Sequence, residues 1–151
     1  MHFTPGLAGL ILAFATTAFT QGVTINNHCS FDVQQSTSNG GSISTIPAGG
    51  SASDAYDTSG AAGTIRLGTD VNSGNNAQVE YTVSGSTLFY DLSVINGNPI
   101  GRITVTPQGG NGGSCGTADT NNPSTVYENS GDDQATFSCN PVVDLVTDLC
   151  A

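Results

Sequence analysis

Glu80 and Asp91 are the residues of this chain whose types and spacing could do chemistry. They sit in Val79-Glu80-Tyr81-Thr82-Val83 and Leu88-Phe89-Tyr90-Asp91-Leu92-Ser93-Val94, with Ser84-Gly85-Ser86-Thr87 between. Both runs are rich in β-branched and aromatic residues around a Gly/Ser turn, which predicts a β-hairpin. A turn centred on Gly85 and Ser86 sets Ser84 opposite Thr87, and therefore Glu80 opposite Asp91. Directly opposed side chains have Cβ atoms about 4.5–5.5 Å apart, and like charges so placed repel. Two carboxyls are also what glycoside hydrolysis uses, about 5–5.5 Å apart for retention and about 6.5–9.5 Å for inversion. Sharing one proton, such a pair would have one pKa raised.

A cation is expected beside them. Asn96-Gly97 is a strong hairpin dipeptide, and a two-residue turn there would return Ile100–Thr106 next to the Asp91 strand. Arg102 would then stand opposite Asp91, giving a row Glu80–Asp91–Arg102 across three strands. Pro99 makes that return strand imperfect, because it has no N–H for the ladder.

The elements that must carry these residues are short strands separated by turns. Val23–Asn26, Phe31–Gln34, Ile43–Ile46, a strand around Ala55-Tyr56, Thr64–Thr69, the two hairpin strands, Ile100–Thr106 and Gln134–Cys139 all read as β. Gln108–Pro123, rich in Gly and Asn, reads as structureless. Val142, Leu145, Val146 and Leu149 have helical spacing, but the segment is short and lies between Pro141 and Cys150, so it too is expected as a strand. Short strands at 8–12-residue intervals predict an all-β fold, an antiparallel two-sheet β-sandwich.

Composition narrows the function classes. Only 9% of the 151 residues are charged, against roughly 25% in ordinary soluble domains. There is no Lys, Arg66 and Arg102 are the two Arg, and the net charge is -10. Nucleic acids and anionic membranes are excluded as partners, because phosphate binding needs clustered Lys and Arg. Leu7–Ala18 is an apolar run of signal-peptide length, and Ala18-Phe19-Thr20 offers a small-x-small cleavage site. Residues 1–20 are therefore expected as a signal peptide and 21–151 as one secreted, extracellular domain. Four Cys, Cys29, Cys115, Cys139 and Cys150, predict two disulfides with three connectivities open.

Several stretches resemble the thaumatin-like proteins. They are Val23–Cys29 (VTINNHC), Gly63–Asp70 (GTIRLGTD), Val79–Val83, Phe89–Gly97 (FYDLSVING), Asp132–Cys139 (DDQATFSC) and the Leu149-Cys150 ending. They run in one order over most of residues 21–151, and are most similar to the small secreted fungal members described as antigenic or spore- and yeast-phase-associated. The resemblance implies a thaumatin/osmotin-like sandwich stapled by Cys29–Cys150 and Cys115–Cys139. The short interval between Cys115 and Cys139 leaves no room for the disulfide-rich second domain of the plant members.

In larger members an acidic cleft of one Arg, one Glu and three Asp crosses the sheet, and some cut β-1,3-glucan. Glu80 and Asp91 match the Glu and first Asp. Asn96 stands where the second Asp would be, Thr125 about where the third would be, and Gly68 where the Arg would be, with Arg66 two residues away on the same strand face. The resemblance thus assigns Glu80 and Asp91 as catalytic candidates and Arg66, Asn96 and Arg102 as binding candidates. Against catalysis stand the missing carboxylates and the absence of Trp for sugar stacking.

Other signals are weaker. Asp132-Asp133 with Glu128 has the oxygen donors Ca²⁺ takes, but reads as a solvated acidic turn. No metal or other cofactor is expected. Tyr56, Tyr81, Tyr90 and Tyr127 could stack on a sugar, but period-2 spacing puts most of them in the core. The expected function is a monomeric, non-enzymatic, cell-wall-associated or antigenic protein with a β-glucan-type polysaccharide as partner. The alternatives are a weak endo-β-1,3-glucanase and a secreted effector or antimicrobial protein.

Overall fold

The structure, a computed structural model, describes residues 21–38, 41–132 and 135–151. The expected leader and Asp133 lie outside the described residues. Among the described residues, twelve strands in chain order build two sheets: β1 (Gly22–Asn27), β2 (Val33–Thr37), β3 (Ile43–Ile46), β4 (Ser51–Ala55), β5 (Gly63–Gly68), β6 (Ala77–Ser84), β7 (Thr87–Ser93), β8 (Ile103–Gln108), β9 (Asn111–Ser114), β10 (Ala118–Asp119), β11 (Phe137–Asn140) and β12 (Asp144–Leu149). The smaller sheet has the order β10-β8-β12-β1-β4, the larger β3-β2-β5-β6-β7-β11-β9. All pairings are antiparallel except β1 with β12, which run parallel.

Period-2 alternation makes the core. From the smaller sheet Val23, Ile25, Ile103, Val105, Leu145 and Leu149 point inward. Ile65, Leu67, Val79, Leu88, Tyr90 and Leu92 meet them from the larger sheet, and all twelve are essentially inaccessible. Each such side chain stabilises the fold by about 1.5–3 kcal/mol relative to an exposed one. Tyr81 packs against Tyr56 with ring centroids 4.9 Å apart. Gly63, its cross-strand partner, leaves the room for that ring, since a Cβ there would lie 2.2 Å from Tyr81 Cζ.

The return strand differs from expectation. Residues 103–108 do form a strand, but it lies in the smaller sheet between β10 and β12. The chain does reverse here, but one residue earlier than expected: Gly97 N–H donates to Val94 C=O at 2.8 Å, which centres the turn on Ile95-Asn96 instead of Asn96-Gly97. Beyond it Asn98 Oδ1 accepts from the backbone N–H of Ile100 and Gly101, at 3.3 and 3.2 Å. Pro99 has no N–H to give a ladder, and the chain is turned out of the larger sheet. The edge of β7 is taken by β11 instead. The stretch expected to lack structure contains β9 and β10, and Asp144–Leu149 is a strand, not a helix.

The ends of the sandwich are tied together. Cys29 pairs with Cys150 and Cys115 with Cys139, the pairing the resemblance implies. Beside the first bridge, Asn27 is 1% exposed, and its amide is fully used. Nδ2 donates to the carbonyls of Phe31, Ile46 and Pro47, and Oδ1 accepts from Cys29 N–H. The two bridges have sequence separations of 121 and 24. In the chain-entropy account the longer loop constrains the unfolded chain more, by about 1–1.5 kcal/mol. Replacing Cys29 and Cys150 by Ala is therefore expected to lower unfolding free energy more than replacing Cys115 and Cys139, as denaturant titration would show.

Candidate functional site

The hairpin has the expected register. Gly85, at φ 60°, turns the chain, and Ser84 pairs with Thr87, Tyr81 with Tyr90, and Glu80 with Asp91. Because Tyr81, Tyr90 and Leu92 face the core, Glu80 and Asp91 must face out. They stand in the middle of the larger sheet, on the side away from the smaller one.

Two shallow depressions meet over this pair. One, about 270 Å³, is bordered by Ala62, Thr82, Phe89 and Thr136. The other, about 370 Å³, is bordered by Ser93, Ile95, Tyr127, Asn129, Ser130 and Asp132. Glu80 and Asp91 belong to both, so the depressions form one groove with the acid pair at its waist. The far wall is held by backbone pairing: Val94 N–H donates to Tyr127 C=O at 2.8 Å and Tyr127 N–H to Leu92 C=O at 2.9 Å. The Tyr127 hydroxyl is 2.7 Å from Thr136 Oγ1.

The two carboxyls have different surroundings. Glu80 Oε1 accepts from the Thr64 hydroxyl at 3.5 Å. Asp91 Oδ1 is buried without a hydrogen-bond partner among the described residues. Burial, and then the charge of Glu80, push the Asp91 carboxyl up to about 7. Both causes act against the ionised form. Beside it Ser93 is only 6% exposed, yet its hydroxyl makes no hydrogen bond among the described residues.

The other expected site residues fare differently. Arg102 does not face Asp91. It lies at the rim of the smaller sheet, where Nη2 and Nε donate to the Asp119 carboxylate at 2.9 and 3.3 Å and Nη1 to Ala151 O at 2.7 Å. The row Glu80–Asp91–Arg102 does not exist, because β8 left the larger sheet. Arg66 does point outward on the correct face, opposite Gln78. That places it diagonal to Glu80, a spacing of about 7–8 Å, and among the described residues it has no ion-pair partner. Asn96 is exposed in the turn, one residue beyond Ile95 on the groove wall. Thr125 Oγ1 is spent on Asp119 N–H and on the Asn122 and Asp119 carbonyls. Asp132 Oδ2 accepts from Glu128 and Asn129 N–H, both at 2.8 Å, and so closes its own loop.

Of the tyrosines, Tyr56, Tyr81 and Tyr90 are core residues at 7%, 6% and 1% exposure; Tyr81 and Tyr90 also border the first depression, and Tyr127 borders the second. Phe89, Ser93, Ile95 and Thr136 were not singled out from the sequence. Phe89 was within reach, since it shares strand parity with Asp91; it is 42% exposed.

Comparison with known proteins gives a consistent family. The family model described as Blastomyces yeast-phase-specific protein matches residues 10–151. An antigenic thaumatin-like protein of Arthroderma benhamiae is 29% identical, over 96% of this chain and 78% of that protein. The protein elicitor MoHrip2 of Magnaporthe oryzae has a similar structure, with a TM-score of 0.67, 20% identity, and coverage of 87% of this chain and 99% of that one. The thaumatin-like xylanase inhibitor TLXI has a TM-score of 0.57 at 17% identity, covering 85% and 99%.

Asp91 makes stability depend on pH in a stated direction. Its folded pKa lies above the ordinary value of 3.8, so the folded state binds this proton more tightly than the unfolded chain. Stability then falls as pH rises from 3.8 to about 7 and stays reduced above that. Asp91→Asn should raise unfolding free energy by about 1–3 kcal/mol at slightly alkaline pH, with much less gain in acid, as thermal melts across pH would show.

Proposed function

This chain belongs to the Blastomyces yeast-phase-specific protein family, with a thaumatin-like fold, and from that premise we propose that it is a non-enzymatic extracellular protein that binds polysaccharide in its acidic groove. One observation carries this reading. Among the described residues, Phe89, Ile95 and Tyr127 are the large side chains beside the outward acid pair, and they offer apolar surface, aromatic at Phe89 and Tyr127, on either side of carboxyls and hydroxyls. A pyranose ring has apolar faces and a hydroxyl rim, and it meets both demands of such a groove. The two disulfides fit an oxidising exterior, and a leader ending before Gln21 would deliver the domain there.

The same geometry argues against hydrolysis. A glycosidase places its two carboxyls to flank the scissile bond, one at the leaving oxygen and one at the sugar ring or a water. Glu80 and Asp91 are neighbours on one sheet surface and meet a ligand lying on it from the same side. The other three cleft residues of larger thaumatin-like proteins are here Asn96, Thr125 and Gly68, and none can ionise.

Incubation with insoluble β-1,3-glucan should deplete the protein from solution without releasing reducing sugar. Phe89→Ala should weaken that binding roughly tenfold, equivalent to about 1.4 kcal/mol. Release of reducing ends, abolished by Asp91→Asn, would make the protein a glucanase instead. No retention on glucan or any other polysaccharide would overturn the reading.

A further inference from the structure

We propose that the groove prefers a polysaccharide carrying free ammonium groups, a polymer of glucosamine units, with one ammonium seated among Glu80, Asp91 and Ser93. The inference rests on the polysaccharide reading above and names the ligand chemistry of that site.

The charges facing the groove are unbalanced. Glu80 comes from β6, Asp91 from β7, and Asp132 from the loop beyond Tyr127. The nearest cation on this face is Arg66 of β5, placed diagonally to Glu80 with no ion-pair partner among the described residues. The other arginine is engaged by Asp119 on the other sheet. Among the described residues, no cation within the groove therefore offsets the repulsion between the paired carboxyls.

The unused hydrogen-bonding capacity points the same way. Asp91 Oδ1 is buried without a partner among the described residues. Ser93, more than nine-tenths buried on the same face of β7, borders the groove, and its hydroxyl makes no hydrogen bond among the described residues. With Glu80 these make three acceptors side by side. An ammonium group has three donors and a compact charge, so it can donate to Glu80, to Ser93 and to the outward oxygen of Asp91, and so cancel the repulsion. A neutral sugar hydroxyl brings one donor and no charge.

A metal ion suits the site less well. Ca²⁺ takes 6–8 oxygen ligands, while the nearby Asp132 carboxylate is already held by two backbone N–H groups. A bare polyamine or a lysine side chain could offer the charge, but has no flat ring face for Phe89 and Tyr127. An aminated pyranose offers both, and an aromatic ring beside a cation adds a further attraction.

Calorimetric titration with soluble oligomers of equal length tests this at one fixed ionic strength. The probes are a glucosamine oligomer, its N-acetylated counterpart, a β-1,3-glucose oligomer, and oligolysine of matched charge. The glucosamine oligomer should bind at least about tenfold tighter than either uncharged sugar and than oligolysine, as charge-assisted hydrogen bonds are roughly twice as strong as neutral ones. Its advantage should shrink in salt. Asp91→Asn, which is expected to fold more stably, should bring the glucosamine-to-glucose affinity ratio down toward one, and Ser93→Ala should lower it by a smaller factor. Equal affinity for the three sugars, or a preference for an uncharged one, overturns the ammonium assignment and leaves polysaccharide binding standing. Oligolysine binding as tightly as the glucosamine oligomer overturns it as general attraction to an acidic surface. Failure of every sugar to bind overturns this inference together with the reading beneath it.

Discussion

The outer face of the larger sheet depends on the register of β6 against β7. Side chains alternate with a period of two, so a slip of one residue would exchange the two faces of a strand. In the observed register Tyr81 meets Tyr56 and Tyr90 stacks on Phe137 at 5.5 Å, and the apolar residues of both strands are buried. The same register leaves Glu80 and Asp91 nowhere but opposite one another. Core packing thus enforces a charge repulsion that the outer face does not itself relieve.

That arrangement needs a rigid frame, which a chain with so few charged residues cannot obtain from surface ion pairs. The frame comes from joining the chain's described ends. Strand β1 pairs with β12, and Cys29 is bridged to Cys150 just beyond both. Asn27 ties the same corner to the Phe31–Pro47 segment through a fully satisfied buried amide. The second disulfide joins the strand β11 to Cys115, and β11 supports the flank of the groove that carries Thr136. Stability and site geometry therefore have common supports, while the acid pair stays an isolated liability within them.

Strand parity and turn chemistry made much of this legible in the sequence. The Gly85-Ser86 turn predicted the Glu80–Asp91 pair because a two-residue turn leaves a single register. Arg102 lies away from Asp91, against expectation, because a local turn signal such as Asn96-Gly97 marks where the chain reverses but not which sheet receives it. Asn98 capping and the missing N–H of Pro99 decided that, and their effect is non-local. The strands β9 and β10 lay in a Gly- and Asn-rich stretch where partner strands, not intrinsic preference, impose extended backbone. The groove walls come from loops, and Ile95, Tyr127 and Asp132 meet there only through the bridge between Ser93 and Tyr127. No spacing rule carries that contact.

The central claim is that the outer acidic groove is where this protein meets its ligand, and amide chemical-shift mapping locates a ligand most directly. In a titration with a soluble oligosaccharide that binds, the account predicts that the largest shifts fall on Glu80, Asp91, Ser93, Phe89 and the Tyr127–Asp132 loop. The outer residues of the smaller sheet, among them Thr24, Thr104 and Val146, should stay unperturbed. Shifts concentrated on that opposite face, with the groove silent, would contradict it.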